Sequence, residues 1–292
     1  MGQRKCLRPD PTNDAAFGHD SEMELRIGCR FMFDAVAATH AVVMVEPHPD
    51  EAAHVNAATF VADPAVTSTL YTDVFGNRCR RLTLPAGRSS VSFDAVATID
   101  GEPDPFVPNA RAMTPDELPD DVLVYMLPSR YCESDLLANT ALARFGAGVV
   151  DWARIQEVSD WVHEHVRFDY QASSPTHTAA SVFRDGVGVC RDFTHLGIAL
   201  CRALNVPARY VFGYLPDIGV ENPILPMDFS AWMEVYLGGK WHTFDPRNNV
   251  RRVGRVVIAR GRDAADVAMV TTFAMVTLVD MTVCAEEVVR VK

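Results

Sequence analysis

Cys190 is the residue of this sequence best placed to react. It lies in the stretch Ser181 to Leu204, SVFRDGVGVCRDFTHLGIALCRAL. Phe193, Leu196, Gly197, Leu200, Cys201 and Leu204 recur there at three- and four-residue spacing, which predicts an amphipathic helix opening at Cys190. Asn205 and Pro207 end it. Gly186 and Gly188 let the backbone turn into its first residue. A cysteine there sits among unpaired N–H groups at the positive end of the helix dipole, and both favour thiolate. Arg191 adds a positive charge beside it. Asp192 opposes that charge, and we read it as a carboxylate anchoring the loop at the edge of a substrate cleft.

The other reactive side chains form no competing site. Seven cysteines, at 6, 29, 79, 132, 190, 201 and 284, show neither a disulfide framework nor zinc-ligand spacing. Cys201 returns to the face of Cys190 three turns on, about 16 Å away and too far for a disulfide. His163 and His165 fall on different helix faces, and His40, His48 and His54 share no spacing. The glycines before Cys190 lack the lysine of a phosphate loop. No metal and no cofactor is expected.

These residues belong to a chain of 292 residues, long enough for one large domain or two smaller ones. Hydrophobic content of 48% against 22% charged fits a globular protein. A formal charge of −11 argues against nucleic acid or an anionic membrane as partner. No window reaches the roughly 18 apolar residues of a membrane span. The scattered cysteines imply a reducing, cytoplasmic setting. Residues 1–22 read as a polar leader or an extension before a second start at Met23.

From 23 to 104 the pattern is β. Glu24 to Phe31 alternates polar and apolar side chains, Ala41 to Glu46 is a short apolar run, and Ser68 to Val74, Arg78 to Leu84 and Ser89 to Asp100 supply further strands. Short strands with turns between them predict an antiparallel β-sandwich-like domain. Residues 105–128 continue a proline- and acid-rich connector, and 129–292 form the second domain. Helices are expected over Ser134 to Phe145, Asp151 to Val166 and Thr178 to Arg184, the last capped by Thr176. After the Cys190 helix come strands Ala208 to Tyr214, Ser230 to Leu237 and Lys240 to Phe244, the last two joined by Gly238-Gly239. The tail from Met275 to Val291 reads as closing β-structure. The fold class is therefore α+β.

The succession of VCRDF on a helix, PARYVFGY and SAWMEVYLGGKWHTFDP resembles the transglutaminase-like superfamily, more narrowly its bacterial cysteine proteases with an N-terminal β region. The likeness runs from about Met23 onward and includes the LPSRYCESD segment. It implies a papain- or transglutaminase-like core, with helices packed on an antiparallel sheet. It also implies that Cys190 is the nucleophile and Asp245 the acid that orients a histidine base, while Trp232 lines the cleft or fills the core. Where the family pattern has that histidine, this chain has Ser230. Serine cannot take a proton from a thiol at neutral pH.

Two histidines are candidates to stand in. His195 lies about 140° further round the helix than Cys190, and His242 is three residues from Asp245, on the opposite face of its strand. Asp228, flanked by Met227 and Phe229, could reach the site or serve in a turn. Two readings follow. In the first, a Cys190 acyl-enzyme serves a peptidase, amidase or transglutaminase-like crosslinker acting on a peptide, a protein or a small amide. In a variant of it, Ser230 holds a water and His195 or another base moves the proton. In the second reading the fold is catalytically inactive and binds a peptide or protein.

Overall fold

The structure of the chain, a computed structural model, describes residues 22–220 and 226–288, so the expected leader lies outside the described residues apart from Glu22. The elements run β1 (Met23–Ala35), β2 (Thr39–Val43), β3 (Val55–Asp63), β4 (Ser68–Thr72), β5 (Arg78–Leu84), β6 (Gly87–Ile99), α1 (Ser134–Phe145) and α2 (Trp152–His165). They continue with β7 (Arg167–Phe168), α3 (Ala179–Asp185), β8 (Val187–Gly188), α4 (Cys190–Ala203), β9 (Ala208–Tyr214), β10 (Ser230–Leu237), β11 (Lys240–Phe244), β12 (Val256–Gly261), β13 (Val270–Thr272) and β14 (Val276–Glu287).

Two four-stranded antiparallel sheets, ordered β14-β1-β6-β3 and β13-β2-β5-β4, make the N-terminal layers. The alternation in β1 buries Leu25, Ile27, Phe31 and Phe33, which pack with Val91, Phe93 and Ala95 of β6 and with Val43, Leu82 and Leu84 of the other sheet. One edge strand of each sheet comes from the far end of the chain. β14 pairs antiparallel with β1 from Leu25↔Glu287 to Ala35↔Val276, and β13 pairs with β2. The sequence division into 23–104 and 129–292 therefore differs from the strand pairing, because two strands of the second segment complete the sheets of the first.

The core proper is an antiparallel sheet, β11-β10-β9-β12, with α4 laid across it. Ala231, Met233 and Val235 of β10 face the helix and share its core with Phe193, Leu196 and Leu200. The helices α1, α2 and α3 surround α4. The side chain of Asp151 accepts from the N–H of Arg154 to start α2, and Thr178, not Thr176, caps α3 with Ser181 in a reciprocal box. Gly186 ends α3 at φ +63°, a left-handed conformation that glycine adopts without strain. Phe31 of β1 stacks on Phe229, just before β10, and the Tyr214 hydroxyl donates to the Val45 carbonyl. The sandwich and the core thus share one hydrophobic cluster. Among the described residues no helix is long and apolar enough to cross a membrane.

Candidate active site

Cys190 is the first residue of α4, where the sequence places it. Asp192 holds the approach. Its Oδ2 accepts from the N–H of Val189 at 2.9 Å, and its Oδ1 accepts from Nε and Nη2 of Arg191 at 3.2 and 3.1 Å. Arg191 in turn donates to the Ser174 carbonyl at 2.6 Å. The carboxylate folds back so tightly that a Cβ at Gly188 would lie 2.6 Å from the Asp192 Cβ, so a side chain there has no room. Asp192 is fully buried and lines neither cavity described below. Its place in the cleft is corrected accordingly: it caps the helix that carries the thiol, because an N3 carboxylate is drawn to the free N–H groups of its own first turn.

The thiol lies where two cavities meet. One, of about 310 Å³, has Ser230, Asp228, Arg247, Asn248 and Arg252 on its wall beside Phe168, Leu215, Met227 and Phe229. The other, of about 590 Å³, runs between the N-terminal sheet and the core. Cys190, Tyr170, Asp228, Phe229 and Ser230 line both. Burial and the nearby Asp228 carboxylate push the Cys190 thiol up to about 11, against the weaker opposing pull of the Ala231 N–H, Arg247 and the Arg191 N–H. The sulfur is therefore protonated at neutral pH. Asp228 is itself raised above the ordinary carboxylate range by burial, although its Oδ1 accepts from the N–H of Phe229 at 2.7 Å.

Asp245 is held by other partners. Its Oδ1 accepts from the Asn248 N–H at 2.9 Å, and its Oδ2 accepts from Asn248 Nδ2 and Arg255 Nη2, both at 2.8 Å. Arg255 also bonds both Asp104 oxygens through Nε at 3.0 and 2.9 Å and lies 4.8 Å above the Trp232 ring. The Arg255 and Asp245 side chains are 7% and 2% exposed, so this is an interior ion pair. Burial alone would raise Asp245; the Arg255 charge and the Asn248 bonds outweigh it and hold the carboxylate below its usual range.

The remaining sequence candidates separate. Ser230 lines both cavities with Cys190, and no hydrogen bond to its hydroxyl is formed among the described residues. Trp232 is 1% exposed and packs with Val211 and Val257 beneath Arg255; one residue out of phase with Ala231 and Met233, it turns away from α4 and lines neither cavity. Its cleft role is corrected to core packing. His195 is fully buried, stacked on Tyr131 at 5.1 Å with Tyr210 equally close, and its Nε2 accepts from the Ala264 N–H at 3.2 Å. Burial, helped by Arg191 and Arg202, pushes its pKa well below the usual value and leaves the ring neutral. It lines neither cavity and is no stand-in base, because five residues along a helix turn it away from the thiol. His242 approaches the Leu237 carbonyl through Nε2 at 3.1 Å and packs edge-on against Trp152.

Sequence reasoning missed Arg255, Asp104, Arg247 and Asn248. The last two follow Asp245-Pro246 directly and could have been suspected from that adjacency. Nothing local marks Asp104 as the partner of an arginine 151 residues on. Among the described residues no cluster of His, Cys, Asp or Glu could hold a metal.

Helix, sheet and cysteine define a class. Residues 144–246, spanning Cys190, Ser230 and Asp245, match the family model of the Transglutaminase-like superfamily. This part of the chain is similar to a transglutaminase-like core. The whole architecture is similar to the solved "Putative Cysteine Protease from Cytophaga hutchinsonii", with a TM-score of 0.81 at 29% identity over 94% of this chain and 93% of that one. The chain is also similar to uncharacterized proteins of Mycobacterium leprae, 37% identical over 84 residues, and of Mycobacterium tuberculosis strain H37Rv, 36% identical over 111 residues. Those matches cover 28% and 34% of this chain, and only 30% and 35% of the relatives' own lengths.

Proposed function

We propose that the protein is a cysteine-dependent amide hydrolase or acyltransferase in which Cys190 forms the acyl-enzyme and Asp228, in place of a histidine, takes the thiol proton. As the sulfur–carbon bond forms, the proton passes to Asp228. It is then returned to the departing amine as the carbon–nitrogen bond breaks, and water or a second amine releases the acyl group. The N–H groups at the start of α4 and of Ala231 are available to the oxyanion. The observation that carries this reading is that Asp228 lines both cavities with Cys190, raises the thiol by its charge, and is itself raised by burial. A carboxyl moved upward is better able to accept and return a proton near neutrality. Peptides, proteins and small amides are all admissible substrates, and hydrolysis and transfer share this first half. A reducing, cytoplasmic location suits six described cysteines that are all unpaired.

A second reading, an inactive fold that binds a peptide or protein, is favoured by the full set of bonds on Asp245 and by a thiol at about 11. Incubation with a p-nitrophenyl ester and an aryl amide, followed by mass spectrometry of the Cys190 peptide, separates the two. An acyl adduct on Cys190, with turnover absent from Cys190→Ala, supports the enzyme. No adduct and no turnover from about pH 6 to pH 10 leaves the binding reading standing.

A further inference from the structure

The two cavities that meet at Cys190 differ in the charges on their walls. The smaller carries two arginines, two aspartates, Asn248 and Ser230. The other, of about 590 Å³, has Arg191 and Asp228 as its only charged lining residues among those described, and both stand close to the thiol. Ser173, Ser230 and Thr272 add hydroxyls, and the rest of its lining is mostly aromatic and aliphatic. Phe229 stacks on Phe31 at 6.1 Å and meets Phe212 edge-on at 5.9 Å, and Phe33 continues the row 6.0 Å past Phe31. Val276 and Leu278 of β14 form its far side, so the strand contributed from the C-terminal end closes the cavity. Its volume falls in the range of about 300–1,000 Å³ typical of small-molecule pockets.

We infer that this cavity is the specificity pocket for the substrate, and that the substrate is an amide bearing a bulky apolar group, aromatic or branched, next to the bond that meets Cys190. The inference rests on the reading of Cys190 as the reacting residue. Away from Arg191 and Asp228 the wall offers no charge to pair with an ionic side chain and would strip it of water, whereas an aryl or branched alkyl group gains by leaving water. The position of the thiol on the wall fixes which end of the substrate enters. The smaller cavity on the other side, which carries more charges, takes the remainder of the molecule. A phenylalanine- or leucine-like residue of a peptide and the aryl group of a non-peptidic amide present the same chemistry to these walls.

The test uses one electrophile throughout, the chloroacetyl group, whose carbon–chlorine bond breaks as the Cys190 sulfur–carbon bond forms. Chloroacetyl derivatives of glycinamide, aspartic acid amide, phenylalaninamide and phenethylamine are compared by the second-order rate of Cys190 labelling, measured by mass spectrometry on the whole chain. Both phenyl reagents should saturate and exceed the glycine reagent by about tenfold to a hundredfold, the gain that burying such a group gives. The better of the two identifies the source, peptide residue or plain aryl amide. Ala268→Trp, which fills the cavity from its half-buried rim, should bring the phenyl-to-glycine ratio toward one; Thr272→Trp, also on the lining, serves if the first variant fails to fold. Equal rates for all reagents, or preference for the aspartate reagent, overturns the inference. Labelling needs no turnover, so a phenyl preference without any hydrolysis would sink the proposed enzyme and leave the pocket. Turnover without that preference would do the reverse.

Discussion

The two sides of the site have been built to different ends. On the helix side, Asp192, Arg191 and Gly188 form a tight support that sets the sulfur at the first turn of α4, where the two cavities meet. On the sheet side, the carboxylate that the resemblance assigns to orienting a base is taken up by Asn248 and Arg255, with Asp104 behind them, and among the described residues nothing bonds the Ser230 hydroxyl. A carboxylate with three donors and a buried counter-ion has a reason to be present that owes nothing to proton transfer. Retention of Asp245 is thus no sign of a working Cys-His-Asp relay, whereas among the described residues the Cys190 sulfur, packed at the edge of the core, takes part in no comparable ion pair. The comparison teaches that the thiol's support and the proton relay are separable parts of this fold.

Breaking the sheet side should cost most. Asp245→Asn leaves Arg255 buried beside a neutral amide and should destabilise the chain by about 3–5 kcal/mol, as loss of one partner of an interior ion pair does. Denaturant unfolding measures it, and a loss under 1 kcal/mol would mean that Asp104 alone suffices for Arg255. The wild-type carboxylate, held below its usual range, contributes stability above the ordinary value of 3.8 that is lost as the pH falls through the folded value. The acid limb of the stability curve should therefore be shallower in the variant.

A pH effect of the opposite sense follows from the thiols. Burial raises Cys29 and Cys190 to about 11 and Cys132 and Cys201 to about 12, from an ordinary 9.0. Above pH 9.0 the unfolded chain binds fewer protons than the folded one, so stability should decline as the pH rises from there toward about 12. Thermal melts across that window read it, and flat melting temperatures would contradict the burial of these sulfurs.

The smallest effect is expected where the family pattern is restored. Ser230→His supplies an imidazole, but Asp245 has no free geometry to orient it. The rate of Cys190 alkylation at neutral pH should rise by less than about tenfold. A rise of a hundredfold would show that the sheet side is still poised for a relay.

The helix of Cys190 and the strands around Gly238-Gly239 were legible because their signals are local: apolar spacing, a glycine pair, alternating burial. The α1 boundaries coincide with the expected ones, Ser134 and Phe145. The partners of the outer strands were not legible. β14 reads as a strand by itself, but nothing in its side chains names β1, some 250 residues away, as its neighbour. β3 escaped notice because most of its residues are exposed, which blurs the alternation. At the site, Cys190, Ser230 and Asp245 could be placed by motif, while the choice between cleft and core for Trp232 turned on strand phase, which sends it to the core. Asp228 was undecidable in sequence because its value lies in a shared cavity, and Arg255 because its partners lie 10 and 151 residues away.

The most direct test of the central claim measures two rates on Asp228→Asn: alkylation of Cys190 by iodoacetamide across pH, and turnover of the substrate that acylates the wild type. If Asp228 both raises the thiol and takes its proton, the two rates move in opposite directions. Alkylation at about pH 8 should quicken severalfold as the thiol falls below 11, and turnover should drop by about a hundredfold or more. Turnover that rises with alkylation, or stays unchanged, would contradict a base role for Asp228.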